Sequence, residues 1–271
     1  MSAGARGLRT AIAWAVVVAI ALPLLYAALG SLQPEARLFG GGLPSLHGLG
    51  LEHYRALLGE RSLWSAIGHS LVVAAATTAL CVSLGAGCAY ALARLRFPGR
   101  RVLLACVLAV SMFPQIAIVP PLYLLLRALG LIDTYPGLVL PYVTFAMPLT
   151  IWLLLGFFRQ LPAELEEAAR VDGAGRLRTL IEIVLPLSAP ALATTALITF
   201  IYCWNEFLFA LSFTLERKTL PVAIALLRGQ YRVPWGEVLA AAIVSTAPIA
   251  LLVLGFQRRI VQGLAAGAVK G

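Results

Sequence analysis

The sequence has little charge for a protein of its length. Only 12% of its 271 residues are Asp, Glu, Lys or Arg, whereas soluble domains carry about 25%. Hydrophobic residues make up 61% of the chain, and they are gathered in blocks longer than the core helices of soluble domains. The scarcity of charge therefore argues against a single water-soluble domain and indicates a membrane protein.

Motifs for nucleotide, metal or hydrolytic chemistry are also missing from the sequence. There is no GxxxxGK[ST] phosphate loop, and the stretch GAGRLRT has neither its lysine nor its spacing. The four cysteines lie inside apolar blocks without a CxxC pair, which is typical of small buried hydrophobic residues. There is no HExxH, and no paired membrane carboxylates or Ser/His/Asp set, so a membrane-bound enzyme has no support. We expect no metal, no cofactor and no ATPase activity in this chain.

Six apolar blocks are long enough to cross a membrane, since about 20 helical residues span the ~30 Å hydrocarbon layer. The first block could instead be a signal peptide with Arg6 and Arg9 as its basic region, but its apolar run exceeds the usual length of about 7–15 residues. We favour an uncleaved span. The sequence predicts one all-α transmembrane domain over 1–271, with spans at about 10–30, 65–93, 102–126, 135–158, 187–214 and 238–256.

The basic residues predict the orientation of these spans. With six spans, both termini lie on one side of the membrane, and placing them in the cytoplasm puts most of the 21 Lys and Arg residues in inside segments. The cluster ARLRFPGRR, between the second and third blocks, is the clearest signal. Topology therefore explains the net charge of +9, and we expect no nucleic-acid partner.

The inside segment 161–186, between the fourth and fifth blocks, is predicted to hold a short helix along the membrane face. Proline at 162 and three following glutamates suit the first turn of a helix, and Gly173 is a natural stop. Two faces with helical spacing follow from the sequence: Leu165, Ala168, Ala169 and Asp172, and then Leu177, Leu180, Ile181 and Val184. Such a helix could dock on lipid or on a cytoplasmic protein; its acidic residues favour the protein.

The same segment carries a motif. Glu167-Ala168-Ala169, three residues, Gly173, nine residues, Ile183, one residue and Leu185-Pro186 resemble the EAA loop of inner-membrane subunits of bacterial ABC importers. The tail GLAAGAVKG and the stretch WNEFLFALSF resemble the carbohydrate branch of that family. Across the whole chain, the resemblance is to the maltose/trehalose permease subunits, especially those of actinobacterial trehalose importers.

The resemblance implies a function and a set of partners. It implies a permease subunit, in the bacterial cytoplasmic membrane, of an ATP-driven importer of an α-linked glucose disaccharide such as trehalose or maltose. The implied partners are a second homologous permease, two copies of a cytoplasmic ATPase, an extracytoplasmic sugar-binding protein, the sugar and the membrane lipids. The separate ATPase would hydrolyse the ATP.

The resemblance also implies sites on this chain. It places a coupling helix in a cleft of the ATPase, and it carries the contact over to Glu167, Ala168, Ala169, Asp172 and Gly173. It implies that the tail, with Gly263, Gly267 and Lys270, reaches between the ATPase subunits. The loop at about 215–235 would touch the binding protein.

One acid, Glu206, lies well inside a predicted span beside Trp204 and Asn205. A carboxylate at that depth should face the bundle interior or a cavity. Three interpretations remain open: the three residues line the sugar path, with Trp204 stacked on a pyranose; Glu206 is a structural acid; or it is the proton site of a secondary carrier. The last is the alternative function, a proton-coupled sugar carrier working alone.

Prolines are concentrated in the third and fourth blocks. They kink helices and free backbone carbonyls, which is tolerable in a bilayer only where protein or a water-filled cavity accepts them. Kinked helices around a polar path and ordinary irregularity of the bundle are both compatible with this pattern.

Overall fold

The structure, a computed structural model, describes residues 3–38, 48–227 and 233–268. Within these ranges every regular element is a helix. The helices are α1 (Ala3–Ser31), α2 (Glu35–Leu38), α3 (Glu52–Gly59), α4 (Arg61–Arg94), α5 (Arg100–Met112), α6 (Gln115–Ala128), α7 (Tyr135–Gln160), α8 (Glu164–Val171), α9 (Arg176–Thr179), α10 (Leu185–Leu187), α11 (Ala189–Trp204), α12 (Leu208–Phe213), α13 (Leu220–Leu226) and α14 (Trp235–Ala268), with a π-helical turn at Leu180–Val184.

Four of these helices, α1, α4, α7 and α14, are each long and apolar enough to cross a membrane. Two further spans arise if each bent pair is one span: α5 with α6, bent by 95°, and Arg176–Leu187 with α11, bent by 80°. The described chain therefore has four to six spans, and the prediction of an all-α membrane protein is confirmed. The single-domain organisation and the span limits stay predictions.

The predicted third span, 102–126, is divided into α5 and α6. The break falls at Phe113, whose backbone is extended at φ −77° and ψ 131°. Phe113 precedes Pro114, and the proline ring disfavours helical backbone at the residue before it. Pro120 and Pro121, by contrast, lie inside α6 without ending it.

The predicted fifth span, 187–214, is also divided. Helix α11 ends at Trp204, three residues are not helical, and α12 begins at Leu208. At 1.5 Å per residue, the 16 residues of α11 rise about 24 Å, less than the ~30 Å of a hydrocarbon layer. The break therefore lies at membrane depth, where its free backbone groups need partners.

The chain forms two compact units, 1–65 with 223–248 and 66–222 with 249–271. In the larger unit, α4 and α7 pack closely: a Cβ added to Gly85 would lie 3.1 Å from the Thr150 side chain. The Thr150 and Thr199 hydroxyls are 2.9 Å apart and join α7 to α11. Fully buried Leu154, Leu155 and Phe158 continue this core toward the end of α7.

The smaller unit contains its own close contacts. A Cβ at Gly236, on α14, would lie 2.2 Å from the His53 ring of α3, so any larger residue there would have to displace that ring. His53 Nε2 is 2.9 Å from the Gln33 carbonyl oxygen, and the Ser31 and Tyr54 hydroxyls are 2.7 Å apart. These contacts fix α3 beside the end of α1.

Candidate functional site

The segment for which the resemblance implies a coupling role, residues 161–186 and called the coupling segment below, begins with helix α8. Its first turn holds Glu164, Glu166 and Glu167, which suit the positive end of the helix dipole. The helix ends as the sequence predicts: Gly173 has φ +81°, a conformation that side chains with a Cβ rarely adopt. Gly173 N donates to the Arg170 carbonyl at 3.1 Å and Ala174 N to the Ala169 carbonyl at 2.9 Å, the two bonds of a Schellman cap.

The predicted alanine face of α8 is divided between interior and surface. Ala169 is buried at 4% exposure, whereas Ala168, Leu165 and Asp172 are exposed. Val171, at 88% exposure, adds a further apolar side chain that this chain leaves uncovered. One side of α8 thus packs inward, and the other presents small and apolar side chains outward.

The second predicted face of the segment is wrong in part. Leu180 and Val184 are buried in the core cluster, but Leu177 and Ile181 are 69% and 54% exposed. The reason is the π-helical turn at Leu180–Val184, whose i→i+5 hydrogen bonds change the angle between successive side chains. The expected exposure of Arg178 and Glu182 is confirmed; they form an exposed ion pair at 2.8 Å.

Glu166 anchors the coupling segment to α4. Its Oε1 lies 2.8 Å from Arg94 Nε, and both side chains are only 15% exposed. The Tyr90 hydroxyl donates to Glu166 Oε2 at 3.3 Å, and Arg94 also donates to the carbonyl of Leu161. Sequence reasoning missed this anchor because its members are far apart in the chain; the only signal was an arginine at the end of a span.

The motif residue Glu167 is in a different environment from its neighbour. Its carboxylate is 3.8 Å from Arg170 Nη2, and both side chains are 66% exposed. An exposed pair one helical turn apart contributes little to stability. Glu167 is therefore accessible to a partner, whereas Glu166 is held inside the chain.

A cavity of about 730 Å³ lies between the end of α4 and the coupling segment. The arginines that line it outnumber its two glutamates: Arg94, Arg96, Arg100, Arg170 and Arg176 against Glu166 and Glu167. The cavity is therefore positively charged, and it favours an acidic partner over a basic one.

The residues predicted for the sugar path, Trp204, Asn205 and Glu206, differ from one another in burial. Trp204 is 2% exposed and stacks on Phe200, with ring centroids 5.8 Å apart. Asn205 is exposed, and its amide donates to the Ile201 carbonyl at 2.8 Å. The structure brings these residues next to Glu206 but leaves no open face on the Trp204 ring in this conformation.

Glu206 accepts hydrogen bonds from the start of α12. Its Oε1 is 2.9 Å from Phe209 N and its Oε2 is 3.2 Å from Ala210 N, so the carboxylate satisfies two amides that a helix start leaves free. The buried Tyr142 hydroxyl lies near the same carboxylate but makes no hydrogen bond to it. These contacts support the interpretation of Glu206 as a structural acid.

Asp133 joins two loops at the other end of the spans. It lies between α6 and α7 at φ +57°, and its Oδ1 accepts from the backbone N–H groups of Leu215, Glu216 and Arg217 at 3.0, 3.2 and 3.0 Å. Burial alone would raise the pKa of the Asp133 carboxyl, but the three N–H donors and the Arg217 guanidinium together hold this pKa below its usual value. Sequence reasoning missed this residue.

Further contacts hold the same corner. The Arg217 guanidinium carbon is 5.1 Å from the Tyr135 ring centroid, and the Tyr135 hydroxyl is 2.8 Å from His69 Nδ1. Leu220 N donates to the Ser70 hydroxyl at 2.7 Å. The start of the 215–235 loop is thus fixed to both α4 and α7.

The predicted tail contact is only partly described. Gly263 and Gly267 lie in α14, and Lys270 lies outside the described residues. In the described part of the chain, no group of three or more His, Cys, Asp or Glu side chains is arranged to hold a metal ion.

Known sequences resemble the chain over most of its length. Residues 81–266 match the family described as "Binding-protein-dependent transport system inner membrane component". The trehalose transport system permease protein SugB of Mycobacterium tuberculosis is 46% identical over 98% of this chain and 100% of its own. The trehalose/maltose transport system permease protein MalG of Thermococcus litoralis is 46% identical over 82% of this chain and 81% of its own.

Solved structures share the fold. A chain of a bacterial ABC transporter that imports the acidic polysaccharide alginate has a TM-score of 0.75 at 24% identity, covering 96% of this chain and 99% of its own. A chain of the MetNI methionine ABC transporter, in an inward-facing conformation, has a TM-score of 0.62 at 17% identity, covering 79% and 98%. At these identities the likeness establishes the fold alone.

Proposed function

Since the chain belongs to the family of binding-protein-dependent transport system inner membrane components, we propose that it is the permease subunit of an ATP-driven importer of an α-linked glucose disaccharide such as trehalose or maltose. The cargo rests on the 46% identity, over almost the full length of both chains, to a trehalose permease subunit. The mechanism rests on one structural observation: the motif-bearing helix α8 is anchored on one side and uncovered on the other.

The uncovered side of α8 is the proposed contact with a separate ATPase. Glu167, Ala168, Asp172 and Gly173 are exposed, and Ala168 is small enough to let another surface approach the helix backbone. Ala169 faces inward, so its role in this contact is to keep α8 close to the bundle. Two ATPase copies, a second homologous permease and an extracytoplasmic binding protein complete the proposed assembly.

The inward side of α8 supplies the route by which ATPase closure reaches the spans. A push on α8 is transmitted through the Glu166–Arg94 pair, at 2.8 Å, to the end of α4. The same push moves Leu180 and Val184, which are buried against α4 and α7. Two spans therefore respond to one short helix.

The proposed orientation places both termini, the coupling segment and the arginine-lined cavity in the cytoplasm. The Arg94, Arg96 and Arg100 cluster supports it, because basic residues are retained on the cytoplasmic side. The opposite corner, built on Asp133, then faces the binding protein together with the 215–235 loop, of which residues 228–232 lie outside the described part of the chain.

Reconstitution tests the proposal and its alternative. Liposomes with the complete assembly should accumulate radiolabelled trehalose or maltose only when ATP and the binding protein are supplied, and liposomes with this chain alone should accumulate none. Accumulation by the chain alone, driven by a proton gradient and lost in Glu206→Gln, would overturn the proposal in favour of the secondary carrier. The hydrogen bonds of Glu206 to α12 argue against that outcome.

A further inference from the structure

A cavity of about 430 Å³ lies at the bend between α5 and α6. Four aromatic side chains and two polar ones are among its lining: Phe113, Phe145, Trp152, Tyr202, Ser111 and Gln115. Its volume falls in the range of about 300–1,000 Å³ that is usual for small-molecule sites. We propose that this cavity is a sugar-binding site on the translocation path of this subunit, an inference that rests on the proposed function.

Three aromatic rings of this cavity have uncovered faces. Trp152, Phe113 and Tyr202 are 53%, 56% and 38% exposed, in contrast to the buried Trp204. A pyranose ring has apolar C–H faces that pack on the electron-rich face of an indole or phenol. The aromatic contribution to sugar recognition thus comes from Trp152 and Tyr202.

The cavity also contains a polar pair. The Gln115 side-chain amide donates to the Tyr202 hydroxyl at 3.1 Å. Within the described part of the chain, this bond leaves the Gln115 carbonyl oxygen and the Tyr202 hydroxyl proton without a hydrogen-bond partner. One acceptor and one donor are therefore oriented together for hydroxyl groups of a ligand.

These groups lie within the depth of the membrane spans. Trp152 lies eight residues before the end of α7 at Gln160, about 12 Å along the helix, and Tyr202 lies near the end of α11 at the break with α12. Polar groups within a span face protein or a water-filled cavity instead of lipid. Pro114, at the bend, leaves backbone groups that also need such a surrounding.

A neighbouring cavity shows what a lipid-accepting surface in this chain looks like. It has a volume of about 590 Å³, shares Phe113 and Phe145, and is lined otherwise mainly by aliphatic side chains of α6 and α7. An acyl chain or an apolar partner helix suits that cavity. The Gln115–Tyr202 pair and the Trp152 indole distinguish the smaller cavity from it.

The test uses the complete assembly, with the four native cysteines of this chain replaced by alanine and Ser111→Cys added. Alkylation of that thiol by a water-soluble maleimide should slow at least threefold when trehalose or maltose is present at saturation. Ser62→Cys, exposed at the start of α4, is the control and should react at one rate with and without sugar. Equal alkylation rates at Ser111→Cys with and without sugar would overturn the proposal. This includes equally slow rates in both conditions, which would show that a partner subunit covers the thiol.

Transport measurements provide the second arm. Trp152→Ala should reduce the maximal rate of sugar uptake roughly tenfold or more, and Trp152→Phe should retain most of it. Tyr202→Phe should reduce the rate about three- to tenfold, the range of one net hydrogen bond. Trp14→Ala removes another exposed indole, from α1 at 65% exposure, and should leave the uptake rate unchanged. ATPase activity of each detergent-purified assembly confirms that the variant has assembled.

The outcomes separate this inference from the proposed function. If the unmodified assembly takes up sugar while Trp152→Ala and Tyr202→Phe do so at its rate, the site is wrong and the importer function stands. If the unmodified assembly takes up neither disaccharide, the proposed function fails, and the site proposal fails with it.

Discussion

The anchor between Glu166 and Arg94 yields a quantitative prediction. Glu166→Gln leaves the Arg94 guanidinium without its ionic partner in a place where both side chains are only 15% exposed. Arg94 Nε and Glu166 Oε1 form an ion pair whose geometry is not that of a hydrogen bond, and removing one partner of a fully buried ion pair costs about 3–5 kcal/mol. Because the side chains are partly exposed, we expect a smaller loss, about 2 kcal/mol of the free energy that favours docked over undocked α8. This loss corresponds to a roughly 30-fold rise in the undocked population.

Cysteine labelling measures this release directly. Ala169 is 4% exposed, so in a cysteine-free chain Ala169→Cys should react slowly with maleimide in inverted membrane vesicles that hold the complete assembly. Adding Glu166→Gln should increase the rate by at least tenfold, while sugar uptake falls and ATP hydrolysis persists. Glu167→Gln, the exposed neighbour, is the matched control and should leave the labelling rate unchanged.

A charge exchange provides the decisive comparison. Arg94→Glu combined with Glu166→Arg restores an ion pair at the same place, although it leaves the Tyr90 hydroxyl and the Leu161 carbonyl with altered partners. The double variant should therefore recover part of the protection that each single variant loses. If Glu166→Gln and Arg94→Glu both label at the rate of the unmodified background, the anchor does not hold α8 and the proposed route of force is wrong.

Three other predictions concern α8, Asp133 and the tail. Gly173→Val places a β-branched residue at φ +81°, which destabilises the local backbone by at least about 1–2 kcal/mol. The variant should insert into the membrane normally but move less sugar per ATP hydrolysed. An unchanged ratio of sugar to ATP would contradict the proposed ATPase contact. The pKa of Asp133 is lowered in the folded chain. Ionised Asp133 should therefore stabilise the fold fully at a pH above the ordinary carboxyl pKa, and this stabilisation should disappear as the pH falls through the lowered pKa of the folded chain. Asp133→Asn should lower the free energy of unfolding by about 1 kcal/mol, and its melting temperature should not show this fall at acid pH. If the variant shows the same fall, other groups cause it. Removing residues 263–271 should weaken assembly with the ATPase, seen as lost co-purification, and should leave sugar preference unaltered; a changed preference would contradict the tail assignment.

The sequence predicts the helices of this chain well because bilayer thickness and helical rise leave few alternatives for long apolar blocks. It also predicts the end of α8, since Gly173 is a local signal. The break before α12 was not predicted: Asn205 and Phe207 carry no strong stop signal, and the break is stabilised by the carboxylate of Glu206 capping the next helix.

The candidate sites were predictable only where a local motif marks them. The alanine and glycine positions of the coupling segment follow from a motif, whereas the Glu166–Arg94 pair and the Asp133 bonds join residues far apart in the chain. The orientation of a side chain in a bundle is equally non-local. Trp152 and Trp204 are both indoles in apolar blocks, yet one is 53% and the other 2% exposed.

The position of Asp133 has a consequence for movement. Because one carboxylate oxygen receives three consecutive N–H groups from the loop after α12, a tilt of α12 has to carry the start of α7 along or break all three bonds together. The bond from Leu220 N to the Ser70 hydroxyl ties the same loop to α4 as well. We therefore expect the loop before α7 and the loop after α12 to move together as one piece.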